Sequence, residues 1–447
     1  MSNLGKEVEE ANAMVSVISL TLRLLLILCA GILFSLTISS DARAQMPAPT
    51  GNGDAALIWP NAQSKANSDD WIRLHHAQIR QMQPRLLVLN FVNGLSTEEA
   101  TRKIEAILAA IRESSRYHGY ARPNAPAFLD YKIYKVVDLT DGRVLSDDVR
   151  FEGNSSKYPR TPDWKEGMPN FQYGQLFDPK FADYYNIPDA NDSTHLLTLN
   201  ELVNRGIVNE VWFLANQGKF GAPLEEVEAK QLYDDNMRKI PGRAVQAGLN
   251  ASDQQPFIGR SLRILSVNPE RGPGVALTAL GRGLEATATS GAIPYFSHFF
   301  AEFAGFDLKK RFRLPFDRLS ERGGTVLEHP DDSTLGYVWK GERRTANPYI
   351  PVGGSAIFTP TAQREFDLQS QVSVLSTGEH YRLFDGQDGK DRATLWSNTR
   401  FARYAGLAAD GMGAWNIYWR QNMPGLDNPC KDDNGKPLFN WWPFLFY

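Results

Sequence analysis

The chain has 447 residues, of which 42% are apolar, 22% charged and 11% aromatic, with a formal net charge of −3. These globular proportions exclude a largely disordered chain. The charge balance excludes the basic field that draws nucleic acid, so no nucleic-acid partner is expected.

The N-terminus reads as an address. Arg23 precedes an apolar run over residues 24–38, and Ala42-Arg43-Ala44 follows. A positive charge, a short apolar stretch and small residues at the exit predict a signal peptide over residues 1–44, cleaved after Ala44. The run is shorter than the roughly 20 apolar residues of a membrane span. The expected location is therefore secreted or periplasmic, with membrane contact only if this segment stays uncleaved. Lys6, Glu7, Glu9 and Glu10 make an acidic start, and Met14 is an alternative first residue. Cleavage would leave one cysteine, Cys430, which excludes an internal disulfide, a cysteine-based zinc site and a Cys-x-x-Cys redox pair. An export signal with so little cysteine fits a bacterial chain.

Residues 45–69, rich in Pro, Gly, Ala, Asn and Ser, predict a mobile lead-in to an α/β core over 70–311. Residues 84–92 have the pattern of a buried strand. Ser96-Thr-Glu-Glu99 is a capping box, and Ile104, Ile107, Leu108 and Ile111 carry the helical period. Residues 128–137 alternate like a strand, completing a parallel strand–helix–strand unit. Residues 140–190 are irregular and carry Trp164, Phe171, Tyr173, Tyr184 and Tyr185. Residues 198–206 predict a helix and 207–215 a third strand. A helix is expected around Glu225, Glu226 and Glu228, then a fourth strand over 261–267 and a helix over 274–289. The expected fold is α/β, a mostly parallel sheet with flanking helices. From residue 312 the chain predicts a loop-rich aromatic part packed on the core, with Trp339, Trp396, Trp415, Trp419, Trp441 and Trp442.

Ligands of open α/β sheets bind beyond the carboxyl ends of the strands. Asn93, Asn216 and Asn268 fall at three such ends. Their amides suit a polyhydroxylated or amide ligand, although Asn is also an ordinary turn residue. Glu270 and Arg271 precede a helix whose N-terminus could hold an anion or carboxylate. Glu285 lies deep in that helix, beside Arg282. Among the histidines, His75 and His76 read as surface residues, His118 and His195 as loop residues, and His298 as a satisfied core residue. His329 stands out because Glu328, Asp331 and Asp332 surround it in sequence, and carboxylates orient and charge an imidazole. Trp415 and Trp419 could stack on sugar rings, or serve as core for a strapped-down C-terminus. No cofactor is expected, since the chain has no P-loop, dinucleotide fingerprint or nucleophile elbow. No metal is expected either: the acidic loops 385–391 and 432–435 miss the full calcium ligand series.

Three segments resemble an uncharacterised group of secreted microbial proteins. They are Glu210-Val-Trp-Phe, Asn268-Pro-Glu-Arg-Gly-Pro-Gly with its helix to Glu285, and Gln421-Asn-Met-Pro-Gly with Asn440-Trp-Trp. The group's helix carries Gly-His-Arg before the glutamate, whereas this chain has Gly281-Arg282-Gly283. His329-Pro330 resembles the group's later His-Pro segment. The resemblance brings no activity with it.

Two functions fit the residues. One is an exported hydrolase of a polymeric glycan or peptide, with Glu270, Glu285 and His329 as catalytic groups. Asn93, Asn216, Asn268, Arg271, Trp415 and Trp419 would hold its substrate. The other is a non-catalytic, carbohydrate- or ligand-binding protein. The hydrolase reading requires Asn93, Asn216, Asn268, Glu270, Arg271, Glu285 and His329 to border one pocket; the binding reading rests on the aromatic C-terminal region, and a scattered set would favour it.

Overall fold

The computed structural model describes residues 57–65, 68–142, 153–163, 165, 171–217, 226–248 and 255–447. The export segment, the first part of the lead-in, Trp164 and Glu225 lie outside them. At the centre is a six-stranded mixed sheet: β1 (Arg85–Asn90), β2 (Lys132–Asp138), β3 (Glu210–Leu214), β4 (Glu226–Tyr233), β5 (Lys239–Gly248) and β6 (Leu262–Val267). Their order is β2-β1-β3-β6-β4-β5. The first four run parallel, with Leu86 beside Glu210 and Glu210 beside Arg263. β4 and β5 are antiparallel additions. The fold is α/β, and the sheet is mostly, not purely, parallel. Buried Leu, Val, Ile and Phe fill β1, β3 and β6, as strands covered on both faces require.

The helices follow their local signals. α1 (Ser68–His75) opens the described core. In α2 (Thr97–Ser114) the Ser96–Glu99 capping box forms, and Ile104, Ile107 and Ile111 turn inward. α3 (Leu199–Asn204) has a second box, Thr198–Glu201. α4 (Pro273–Thr289) starts on Pro273, and α5 (Pro294–Ala304) on Pro294, where a missing N–H costs nothing. α6 (Gly413–Gln421) packs on α4 and α2 and is buried along its whole length. Trp415, Trp419, Trp441, Phe300 and Phe303 share one core with Leu86, Ile104 and Trp212. Residues 312–447 are thus part of the main core as well as its cover.

Three expectations need correcting. Part of the lead-in is built into the fold: Ile58–Trp59 pairs with Gln81–Met82, and Trp59 is buried against Phe446. Glu226 and Glu228 belong to strand β4, where a helix was expected. Their charges suggest an exposed helix face, but they lie buried beside Arg263. Glu226 is 2.9 Å, Glu210 3.1 Å and Glu228 3.4 Å from its guanidinium, and Lys230 is 3.2 Å from Glu228. The Glu226 contact is an ion pair off the direction of a hydrogen bond. Tyr131 and Trp212 donate to Glu210, and Thr287 to Glu228. Burial pushes Glu226 up to about 8 against the pull of Arg263. Burial also opposes the Glu228 charge, but Lys230, Arg263 and Thr287 outweigh it and hold that carboxyl below its usual range.

The third correction concerns histidines. His76 is buried, and His298 is exposed and pairs with Asp433. His76 holds the C-terminus: Nε2 lies 2.6 Å from the Asn440 carbonyl and Nδ1 2.7 Å from the Tyr447 hydroxyl. A carbonyl only accepts, so Nε2 donates and Nδ1 accepts from Tyr447. Burial pushes His76 down to about 4, with the Asn440 bond opposing. Its unfolded pKa is higher, so the stability it supplies is lost as pH falls from about 6.5 towards 4. Melting temperature should therefore fall between pH 7 and 4.5, and His76→Asn should flatten that fall. An unchanged slope would show that this contact does not set the acid limit.

Candidate functional site

A cleft lies where α4, the end of α5 and the loops around residues 318 and 354 meet. Its free space is about 610 Å³, counting the open mouth. Glu285 lines it, three turns into α4. The helix can lie close to its neighbours because Gly281 has no side chain. A Cβ there would sit 2.3 Å from Asn416 Oδ1 and 2.9 Å from Ala356 Cβ.

The rear wall is the turn Gly353-Gly354-Ser355. Gly354 has a φ of 69°, and a Cβ on it would lie 2.4 Å from the Phe358 carbonyl. A pair of adjacent glycines meets both demands. α6 pins this turn from behind. Trp419 Nε1 donates to Gly354 O at 2.9 Å, Trp415 Nε1 to Ser355 O at 2.8 Å, and Asn416 Nδ2 to Ala356 O at 2.9 Å. The turn in turn fixes the acid: Ala356 N donates to Glu285 Oε1 at 2.5 Å.

Much of the rest of the lining is apolar, with Phe306, Leu308, Phe312, Leu319, Ile357 and Phe358. Two arginines interrupt it. Arg311 is committed, donating to Asp307 and to the Glu302 carbonyl. Arg318 lies 4.3 Å over the Phe306 ring, and its side chain makes no hydrogen bond or ion pair among the described residues. Burial pushes the Glu285 carboxyl up to about 7, against the Ala356 bond and the charges of Arg282 and Arg318. Its carboxyl therefore holds or releases a proton near neutral pH, as an acid–base group must.

The other expected residues lie elsewhere. Asn93, Asn216 and Asn268 are buried at the carboxyl ends of β1, β3 and β6. Asn93 Oδ1 accepts from Asp141 N, and Asn268 bonds Gln217 and Glu270 N. The Asn216 side chain has no hydrogen-bond partner among the described residues. None of the three lines the Glu285 cleft. Glu270 and Arg271 are exposed, and the helix start beside them is already occupied: Gly274 N donates to Asp410 Oδ1 at 2.8 Å. Glu285 lies twelve residues beyond Pro273, about 18 Å along the axis, so no pocket of ordinary size holds both ends.

His329 is half-buried and outside the cleft. Its neighbouring carboxylates are spent elsewhere: Glu328 pairs with Arg343, and Asp331 accepts from Ser333 and Thr334. Burial holds the imidazole below its usual range, opposed by the Ala362 backbone and Asp367. Trp415 and Trp419 are 1% and 0% exposed, so their faces cannot meet a sugar. Their role is to position the 353–356 turn.

Sequence reasoning thus reached Glu285 and missed Arg318, Arg311 and Ser355. The Gly353-Gly354 pair carried a signal of close packing; the arginines carried none. Among the described residues no group of three or more His, Cys, Asp or Glu side chains could hold a metal ion, and no helix is long and apolar enough to cross a membrane. Comparison with models of known families, with curated proteins and with solved structures found no match.

Proposed function

We propose that this chain is an exported ligand-binding protein whose site is the Glu285 cleft. The carrying observation is a recessed carboxyl and an uncommitted arginine set in apolar walls, the composition of small-molecule sites. Export rests on the segment over residues 23–44.

Hydrolysis is the second reading, with Glu285 as general acid. Glycoside hydrolysis canonically uses two carboxyl groups, roughly 5–9.5 Å apart. Among the residues lining the cleft, Glu285 is the one carboxylic acid. Binding is therefore the better-supported function.

A fluorescent apolar anion, 8-anilinonaphthalene-1-sulfonate, provides the test. The wild-type protein should bind one equivalent in the cleft. Leu319→Trp, which fills the space, should abolish that binding while leaving the fold intact by circular dichroism. Undiminished dye binding in that variant would move the site elsewhere.

A further inference from the structure

We propose that the ligand is an organic acid, held with its carboxylate between Arg318 and Glu285 and its apolar body against Phe306, Ile357 and Phe358. The inference rests on the cleft being the binding site and adds the chemical class of what it takes.

The charges decide the class. Arg311 is paired with Asp307, and its Nε and Nη2 donate to Asp307 and the Glu302 carbonyl. Arg282 adds positive charge from the Glu285 helix itself. Arg318 brings a full positive charge whose protein contact is the face of Phe306. A guanidinium resting on a ring keeps its edge free, and that edge matches a carboxylate with two parallel bonds. Tyr349, the remaining titratable group of the cleft, keeps its proton because burial pushes its hydroxyl upward. A cationic ligand would meet these arginines unfavourably.

Glu285 completes the recognition. Oε1 is occupied by Ala356 N, and Oε2 makes no hydrogen bond among the described residues. In its neutral form this group donates to a ligand carboxylate; once ionised it repels one. Its carboxyl titrates near 7, so affinity should be constant at lower pH and fall about tenfold per pH unit above it. The apolar walls disfavour a small, strongly hydrated anion such as inorganic phosphate and favour an acid with an aromatic or branched body.

Calorimetric titration of the protein with 2-naphthoate and its neutral analogue 2-naphthamide tests this at pH 6. The acid should bind at least about tenfold tighter, the worth of a charge-assisted pair. Arg318→Leu should bring the two affinities together. Glu285→Gln, which keeps a neutral donor, should bind the acid with no decline between pH 6 and 9. Equal affinity for acid and amide in the wild type would overturn the organic-acid assignment while leaving the cleft as the binding site. Failure of both to bind would overturn the assignment and the binding site together.

Discussion

Arg263→Met is expected to cost about 3–5 kcal/mol of stability, because it leaves buried carboxylates facing each other without their central cation. Glu210, Glu226 and Glu228 all lie within 3.4 Å of that guanidinium and are almost wholly buried. Chemical denaturation should show the loss as a lower midpoint. A shift under 1 kcal/mol would mean that the carboxylates are neutral without Arg263. Glu226→Gln separates charge from shape. Its folded pKa, about 8, lies above the ordinary carboxyl value, so the folded state keeps a proton that the unfolded chain gives up. Stability is therefore present at low pH and declines as pH rises from about 4.5 to 8. The Gln variant should lack its share of that decline.

Gly274→Ala is the second large effect. A Cβ at this position would lie 1.8 Å from the Asp410 carbonyl oxygen and 2.8 Å from Oδ1 of the same residue. Gly413, at the start of α6, approaches so closely that its own Cβ would be 2.4 Å from Gly274 Cα. The obstacle is backbone, so relief requires the two helices to part. Overpacking of this kind costs about 1–3 kcal/mol, and sometimes more. The variant should melt earlier and bind cleft ligands more weakly, since α4 carries Glu285 and α6 pins the 353–356 turn. Wild-type melting would show that the helices separate freely.

Local patterns were legible where local forces decide. The apolar runs of β1, β3 and β6, the Ser96 capping box and the Pro273 start each name an element with its approximate limits. Glu226 and Glu228 misled because periodicity assigns charge to water, while Arg263, thirty-five residues beyond Glu228, supplies the partner that lets them be buried. His76 misled similarly: its partners, Asn440 and Tyr447, come from the far end of the chain. Within the site, Glu285 was legible as an acid on a largely apolar helix. Arg318 was not, since its meaning depends on its side chain making no hydrogen bond or ion pair among the described residues while Arg311 pairs with Asp307. The strand-end asparagines were correctly placed on the sheet. What separates them from Glu285 is the length of α4, which a list of candidate residues does not measure.

A crystal structure of the protein grown with 2-naphthoate at pH 6 tests the central claim most directly. The account predicts the naphthalene rings against Phe306 and Phe358, with the carboxylate in hydrogen-bond contact with Arg318 and Glu285. An empty cleft, with the ligand bound instead at Asn93, Asn216 and Asn268, would contradict it.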